Sequence, residues 1–197
     1  MTVLAVIPAR GGSTRIPRKN MQLVGGMTLV ERAWRCAADA FGADRVMVSV
    51  DDDDEILDHV KSWGKHADWC IRRKEARGDA PMAAVLLDAF KTSDTSADWV
   101  VCVQPTTPQR TAADLGDGLE AVAQVGNTDG SAIWDRAAVS VHDDGQHRWV
   151  RNGAFYVTTP EILKTGTVLW RTTVVETAPY IDINTPEDLA RVRELMG

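Results

Sequence analysis

Three features of the sequence predict an α/β fold of three layers, a mainly parallel sheet between two layers of helices. Short apolar runs bounded by turn residues alternate with longer segments whose apolar side chains recur at helical spacing along most of the 197 residues, the pattern of strand, helix, strand crossovers. Runs such as Leu4-Ala5-Val6-Ile7 and Trp99–Val103 are apolar on consecutive residues, as strands covered on both faces must be. No internal repeat, low-complexity tract or linker interrupts the pattern. Residues 1–197 are therefore expected to form one domain, somewhat above the usual size of about 100–150 residues.

The elements follow in order. Leu4–Ile7 reads as a short buried strand ending at Pro8. From Thr28 to Phe41 the apolar residues Leu29, Val30, Ala33, Trp34, Ala37 and Ala40 share a helical face, and Gly42 supplies a stop. Arg45–Val50 is a strand. The acidic run Asp51–Glu55 suits the positive end of the next helix, which Gly64 closes. Asp68–Ile71 (strand), Pro81–Phe90 (amphipathic helix), Trp99–Val103 (strand) and Ala112–Val125 (helix) continue the alternation. The last third is less regular: Ala132–Trp134 and Ala138–Val141 are strand-like, Asp143-Asp144-Gly145 is a turn signal, and Trp149–Val157 is extended. These predict a short hairpin around 132–157. A short helix opens at Thr159-Pro160, Tyr180–Ile183 is expected to be the final strand, and Thr185-Pro186-Glu187-Asp188 caps a last helix through Met196.

Composition excludes several classes. A formal net charge of -6 argues against general binding to nucleic acid or to anionic membranes. No apolar stretch approaches the roughly 18 residues of a membrane span, and the opening residues enter a strand rather than a signal peptide, so a cytoplasmic location is expected. Cys36, Cys70 and Cys102 are odd in number and set among apolar neighbours, which implies packing residues rather than disulfides or a zinc site. His59, His66, His142 and His147 lack metal-ligand spacing and read as surface or turn residues.

Against this acidic background, residues 10–19 place Arg10, Arg15, Arg18 and Lys19 around Gly11-Gly12-Ser13, directly after the first strand. Loops at the carboxyl ends of strands build the ligand crevice of open α/β sheets, and two glycines allow consecutive amides to form a concave anion nest. The expected ligand is a nucleoside triphosphate. The loop follows neither the Gly-x-x-x-x-Gly-Lys-Ser/Thr nor the Gly-x-Gly-x-x-Gly pattern.

Residues Ile7–Asn20 resemble the opening I-P-A-R-G-G-S-K-G-I-P-x-K-N of the cytidylyltransferases that make CMP-activated acidic sugars, the N-acylneuraminate (sialic acid) enzymes above all, departing at Thr14 and Arg15. The Ser13-Thr14-Arg15 variant resembles the 3-deoxy-manno-octulosonate cytidylyltransferases. Val103–Thr111, Arg151–Tyr156 and Ile181–Asp188 match further family segments in order, and the stretch between about 128 and 150 is shortened. The resemblance implies a Rossmann-like nucleotide-diphospho-sugar transferase architecture, transfer of CMP from CTP to an acidic 2-keto sugar with release of pyrophosphate, and a possible homodimer. Other outcomes are a nucleotidyltransferase for another sugar or nucleotide, or a catalytically weak nucleotide-binding protein.

The resemblance also implies roles. Arg10 and Lys19 would offset charge on the phosphates. Gly11, Gly12, Ser13, Arg15 and Asn20 would surround the triphosphate, with Arg72 and the segment around Ala80 near the base. Gln104, Arg151, Asn152 and Tyr156 would face base or sugar. Mg2+ is the expected cofactor. The family's Asp-Ile-Asp is Asp182-Ile183-Asn184 here, so Asp182 and Asn184 are candidate ligands, with Asn184 reading equally as a helix cap. Arg18 is expected on the outer surface, and Arg110 as a partner of Asp114 at helical spacing.

Overall fold

The computed structural model describes residues 1–65, 67–125, 137–146 and 148–197; the expected strand at 132–134 and the positions of His66 and His147 lie outside the described residues. In chain order the elements are β1 (Val3–Arg10), β2 (Leu23–Val24), β3 (Met27–Thr28), α1 (Leu29–Phe41), β4 (Val46–Asp51), α2 (Asp54–Ser62), β5 (Asp68–Ile71), α3 (Met82–Thr92), β6 (Trp99–Cys102), α4 (Ala112–Val125), β7 (Ala137–Asp143), β8 (Trp149–Thr158), α5 (Pro160–Lys164), β9 (Thr172–Glu176) and α6 (Pro186–Met196). The main sheet has the order β5-β4-β1-β6-β8-β7-β9. Its first four strands are mutually parallel. β8 runs antiparallel to both β6 and β7, and β9 is parallel to β7.

Strand alternation sorts the core into two layers. Val3, Ala5, Ile7 and Ala9 of β1, Val46, Val48 and Val50 of β4, and Trp99 and Val101 of β6 pack with Val30 and Ala33 of α1, Ile56 and Val60 of α2, and Leu115 and Leu119 of α4. Leu4 and Val6, Met47, and Val100 and Cys102 point the other way, onto Ala83, Leu86 and Ala89 of α3 and Leu163 of α5. Consecutive apolar residues in these strands are thus explained by helices on both faces. A third cluster joins Ile16, Val24 and Leu29 to Ile183, Leu189 and Val192, locking the beginning of the chain to α6.

Two expectations change. β1 does not stop at Pro8 but runs on to Arg10. The Val6 carbonyl accepts from the Val103 amide, so the Pro8 nitrogen, two residues on, faces the same side. Pairing with β6 has ended at Val6, and the missing donor breaks no ladder bond. Tyr180–Ile183 is extended but belongs to no sheet: the Ile181 amide donates to Gln109 Oε1 at 2.9 Å and the Ile183 amide to the Thr106 carbonyl at 2.8 Å. The last strand of the sheet is β9, built from the β-branched run Thr172-Thr173-Val174-Val175. The tight β2–β3 pair was also absent from the sequence reading.

The caps form as their residues dictate. Thr28 and Asp53 accept from the amides of Glu31 and Ile56 at the starts of α1 and α2. Thr159 caps α5, and Thr185 with Asp188 forms a reciprocal capping box on α6. All three cysteines are free, with Cys70 and Cys102 buried. His59, expected at the surface, is packed between α1 and α2, with its Nε2 2.9 Å from Thr28 Oγ1 and its ring edge-on to Trp63.

Candidate active site

Strands β1, β4, β5 and β6 point their carboxyl ends at one cleft of about 530 Å³, lined among others by Arg10, Lys19, Arg72, Gln104, Tyr156 and Asp182. Its place beside β1, where the strand order turns from β4 on one side to β6 on the other, is the switch point at which open α/β sheets bind ligands. Ser13, Asn20, Ala80 and Asn184 share the lining.

Each charged group arrives with a defined support. Arg10, at the end of β1, donates from Nη1 to Asp79 Oδ1 at 2.9 Å and to the Gly78 carbonyl at 3.3 Å. Asn20 is buried and anchors that strand end, its Nδ2 donating to the Arg10 carbonyl at 2.9 Å. Lys19 Nζ donates to the Ile183 carbonyl at 2.8 Å. Burial pushes the Lys19 ammonium below its ordinary value; Asp182 opposes this, and Arg10 and Arg15 add to it. Arg72 is buried with its guanidinium on Ser49, from Nε to Oγ and from Nη2 to the carbonyl, both at 3.0 Å, and burial lowers its pKa against the pull of Asp51.

The carboxylate of Asp182 faces the same cleft. Its Oδ1 is buried without a hydrogen-bond partner, and its Oδ2 accepts from Asn184 Nδ2 at 3.0 Å. A side chain at Gly153, whose φ is +72°, would press to 3.2 Å of Asp182 Cγ, so the glycine keeps this space open. Asn184 is not the cap of α6. Thr185 holds that position, and Asn184 gives its backbone amide to Asp188 Oδ2 at 2.9 Å. Among the described residues no three His, Cys, Asp or Glu side chains gather as a metal cage. A single carboxylate with an unpartnered oxygen fits a hard cation, which takes one or two carboxylates and completes its shell with other oxygens.

A second hollow of about 460 Å³ continues from the first across Met82, Gln104 and Tyr156 to Arg151, Thr167, Val168 and Leu169. Burial raises the Tyr156 phenol, with Cys102 adding to it. Asn152 does not join this hollow. Its amide is turned into the fold, Nδ2 donating to Thr177 Oγ1 at 2.7 Å and to the Ala178 carbonyl at 3.0 Å.

The glycine loop also departs from expectation. Neither Gly11 nor Gly12 has the positive φ that an alternating anion nest requires, and neither lines the cleft. Gly11 is needed for a different reason, since a Cβ there would fall on the Asp53 carboxylate. Arg15 is exposed outside the cleft lining and acts on it at a distance, through its charge on Lys19. Arg18, expected on the outer surface, is clasped: Nη1 and Nη2 donate to Asp53 Oδ2 and Oδ1 at 2.6 and 2.9 Å, and Glu55 joins the pair. Arg110 does not pair with Asp114. It is buried and donates to the carbonyls of Gln104, Thr107 and Ala154, while burial lowers its pKa to about 10. This guanidinium fixes the loop that carries Gln104 into the cleft.

Fold and cleft together define an α/β protein of nucleotidyltransferase architecture. Over 100% of this chain and 98% of the other, the structure is similar to a CMP:2-keto-3-deoxy-manno-octonic acid synthetase complexed with CTP, with TM-score 0.74 and 18% identity. A nucleotidyl transferase from Methanothermobacter thermautotroptrophicus gives TM-score 0.71 at 17% identity, covering 99% and 97% of the two chains. The family model described as cytidylyltransferase matches residues 4–161, and the chain belongs to that family. It is 43% identical over 108 residues to a 3-deoxy-manno-octulosonate cytidylyltransferase of Maricaulis maris, covering 55% of this chain and 39% of that protein. Over 123 residues it is 30% identical to a CMP-N,N'-diacetyllegionaminic acid synthase of Legionella pneumophila, covering 61% and 53%. In these two alignments the chain matches less than two thirds of the relatives' own length.

Proposed function

We propose that the protein transfers CMP from CTP to an acidic 2-keto sugar of the 3-deoxy-manno-octulosonate class. The observation that carries this reading is the convergence of Arg10, Lys19 and Arg72 with Asp182 on one cleft at the strand ends. The Ser13-Thr14-Arg15 variant and the 43% identity to an octulosonate enzyme favour that sugar class over sialic acid.

A sugar hydroxyl oxygen forms a bond to the α-phosphorus as the bond to the bridging oxygen of the β-phosphate breaks; pyrophosphate leaves and the hydroxyl proton passes to solvent. The step needs alignment of two anions and stabilisation of charge on the phosphates rather than a covalent enzyme intermediate. Arg10 exchanges Asp79 for phosphate oxygens, and Lys19, held at Ile183, supplies a second fixed cation. Arg72 and the segment at Ala80 bound the base, with Gln104 able to donate and accept. Arg151 and Tyr156 in the adjoining hollow receive the sugar acid, the guanidinium suited to its carboxylate. Asp182 would hold Mg2+ through its unpartnered Oδ1, with Asn184 orienting the carboxylate by its amide or adding a neutral oxygen. When bound, the ion neutralises phosphate charge and polarises the reacting phosphoryl group. A homodimer is part of the proposal, tested by sedimentation.

The test is pyrophosphate release from CTP, UTP, ATP and GTP, each with magnesium and a panel of octulosonate, sialic, legionaminic and pseudaminic acids. CTP with the octulosonate is expected to turn over fastest, and CTP to raise the melting temperature more than the other triphosphates, because a ligand of the native state stabilises by mass action. Equal response to all four triphosphates would remove the cytidylyl reading. Faster turnover with a nine-carbon acid would reassign the sugar.

A further inference from the structure

We infer that the bidentate pair of Arg18 and Asp53 is a positioning clasp that aims Lys19 into the cleft. The inference rests on the function proposed above for its effect on rate, and on geometry alone for its effect on the loop.

The chain turns sharply at Arg18, whose φ of 52° and ψ of 40° are left-handed, a conformation that residues with a side chain adopt reluctantly. The turn separates two adjacent cations. Arg18 is directed away from the cleft onto Asp53 and Glu55, while Lys19 reaches the Ile183 carbonyl at 2.8 Å and lines the cleft. The Met21 amide closes the turn on the Arg18 carbonyl at 2.9 Å, and the side-chain contact to Asp53 adds to that bond in favouring the left-handed turn over the ordinary conformations that would swing Lys19 elsewhere.

Asp53 is itself immobilised. It is the N-cap of α2, its Oδ1 accepting from the Ile56 amide at 3.0 Å while taking Arg18 Nη2 at 2.9 Å. Its side chain is 13% exposed and that of Arg18 38%, so the carboxylate end of the pair is shielded from the solvent that weakens surface ion pairs while the guanidinium keeps part of its surface in water. Gly11 completes the fit, since any Cβ there would overlap the carboxylate. The basic loop from Gly11 to Arg18 is thereby closed at both ends on one carboxylate, and the helix cap becomes the reference point for the catalytic lysine.

Asp53→Asn separates the clasp from the cap, because Asn caps a helix as well as Asp does but lacks the charge and the second acceptor. Arg18→Asn removes the guanidinium and keeps a residue tolerant of the left-handed turn. Both variants are expected to melt close to wild type, to exchange the amides of residues 11–20 faster with those of α2 unchanged, and to lose kcat by up to about 100-fold, the scale for misplacing a reacting group by 1 Å, with the KM for CTP little changed. In a Lys19→Ala background Asp53→Asn is expected to cost nothing more, since the clasp acts through Lys19. Arg18→Lys restores part of the rate, its point charge reaching one carboxylate oxygen rather than two. Full kcat in both variants with faster loop exchange, or multiplicative losses with Lys19→Ala, would overturn the clasp. If wild type turns over no sugar acid, the proposed function falls, and the clasp is judged by exchange alone: unchanged protection of residues 11–20 in Asp53→Asn would overturn it too.

Discussion

At Arg10 a carboxylate stands where phosphate is proposed to bind: Asp79 Oδ1 lies 2.9 Å from Nη1, on a fully exposed side chain. Incoming nucleotide must displace it, so Asp79→Asn is expected to lower the KM for CTP by up to about fivefold, the worth of an exposed ion pair, with kcat unchanged in initial-rate measurements. Lys19→Ala and Arg10→Ala are expected to lower kcat on the order of 100–1000-fold without unfolding the protein, since each removes a preorganised charge from the transition state. Wild-type rates in both folded variants would place the phosphates elsewhere. Asp182→Asn is expected to nearly abolish magnesium-supported turnover, whereas Asn184→Asp should lower the magnesium needed for half-maximal rate, because a hard cation gains from ligand charge; unchanged titrations for both would make this corner structural. Arg10 and Lys19 were readable because a cluster of cations in an acidic chain has no answer within its own segment, and Arg72 through the resemblance; all three line the cleft. Arg110 was not readable, because a buried guanidinium satisfied by main-chain carbonyls leaves no acidic partner to point to it. Gly11 was misread for a related reason: its neighbour, Asp53, is 42 positions away.

Among elements, α4 shows how a poor helix former can be required. A Cβ on Gly118 would lie 2.5 Å from the buried Phe155 ring, so the helix sits on β8 only because that position is bare. Gly118→Ala, which would gain about 1 kcal/mol in an exposed helix, is expected to destabilise by about 1–3 kcal/mol through overpacking, as read from urea unfolding. At α6, hydrogen bonds from the Asn184 and Thr185 amides, opposed by burial, hold the Asp188 carboxyl below its ordinary 3.8. A depressed carboxylate adds stability that is fully present above its unfolded pKa and fades as pH falls through the folded value. Asp188→Ala is therefore expected to lower stability at pH 7 through loss of the reciprocal capping bonds, with the gap to wild type closing below roughly pH 3.8 in unfolding curves measured at both ends. Helix starts were legible because caps are local chemistry, as at Thr28, Thr159 and Thr185. Tyr180–Ile183 and β9 were exchanged because extended backbone and sheet membership differ only in the partner, and Gln109 and Thr106 are distant in sequence.

On the scale of the molecule, the parallel half of the sheet was legible because strands covered on both faces are apolar at consecutive residues. The neighbour order β6-β8-β7-β9 was not, since antiparallel pairing depends on which loops can turn back, and part of that region lies outside the described residues. The acidic surface and the basic cleft are also a whole-molecule property: steering of an anionic nucleotide to the cleft should weaken with ionic strength. The cluster that joins Ile16, Val24 and Leu29 to Ile183, Leu189 and Val192, together with the Lys19 bond to Ile183, has a consequence in time. Synthesis delivers the loop that carries Lys19 long before the segment that holds it. A chain still attached to the ribosome with residues beyond 180 inside the exit tunnel can form the pairing of β1 with β4, yet Lys19 lacks the Ile183 carbonyl and Ile16 lacks the cover of Ile183, Leu189 and Val192. Nascent chains stalled there are expected to retain no labelled CTP, and chains in which residues through Gly197 have left the tunnel to retain it, so on the proposed function a growing chain takes up nucleotide only once α6 has emerged.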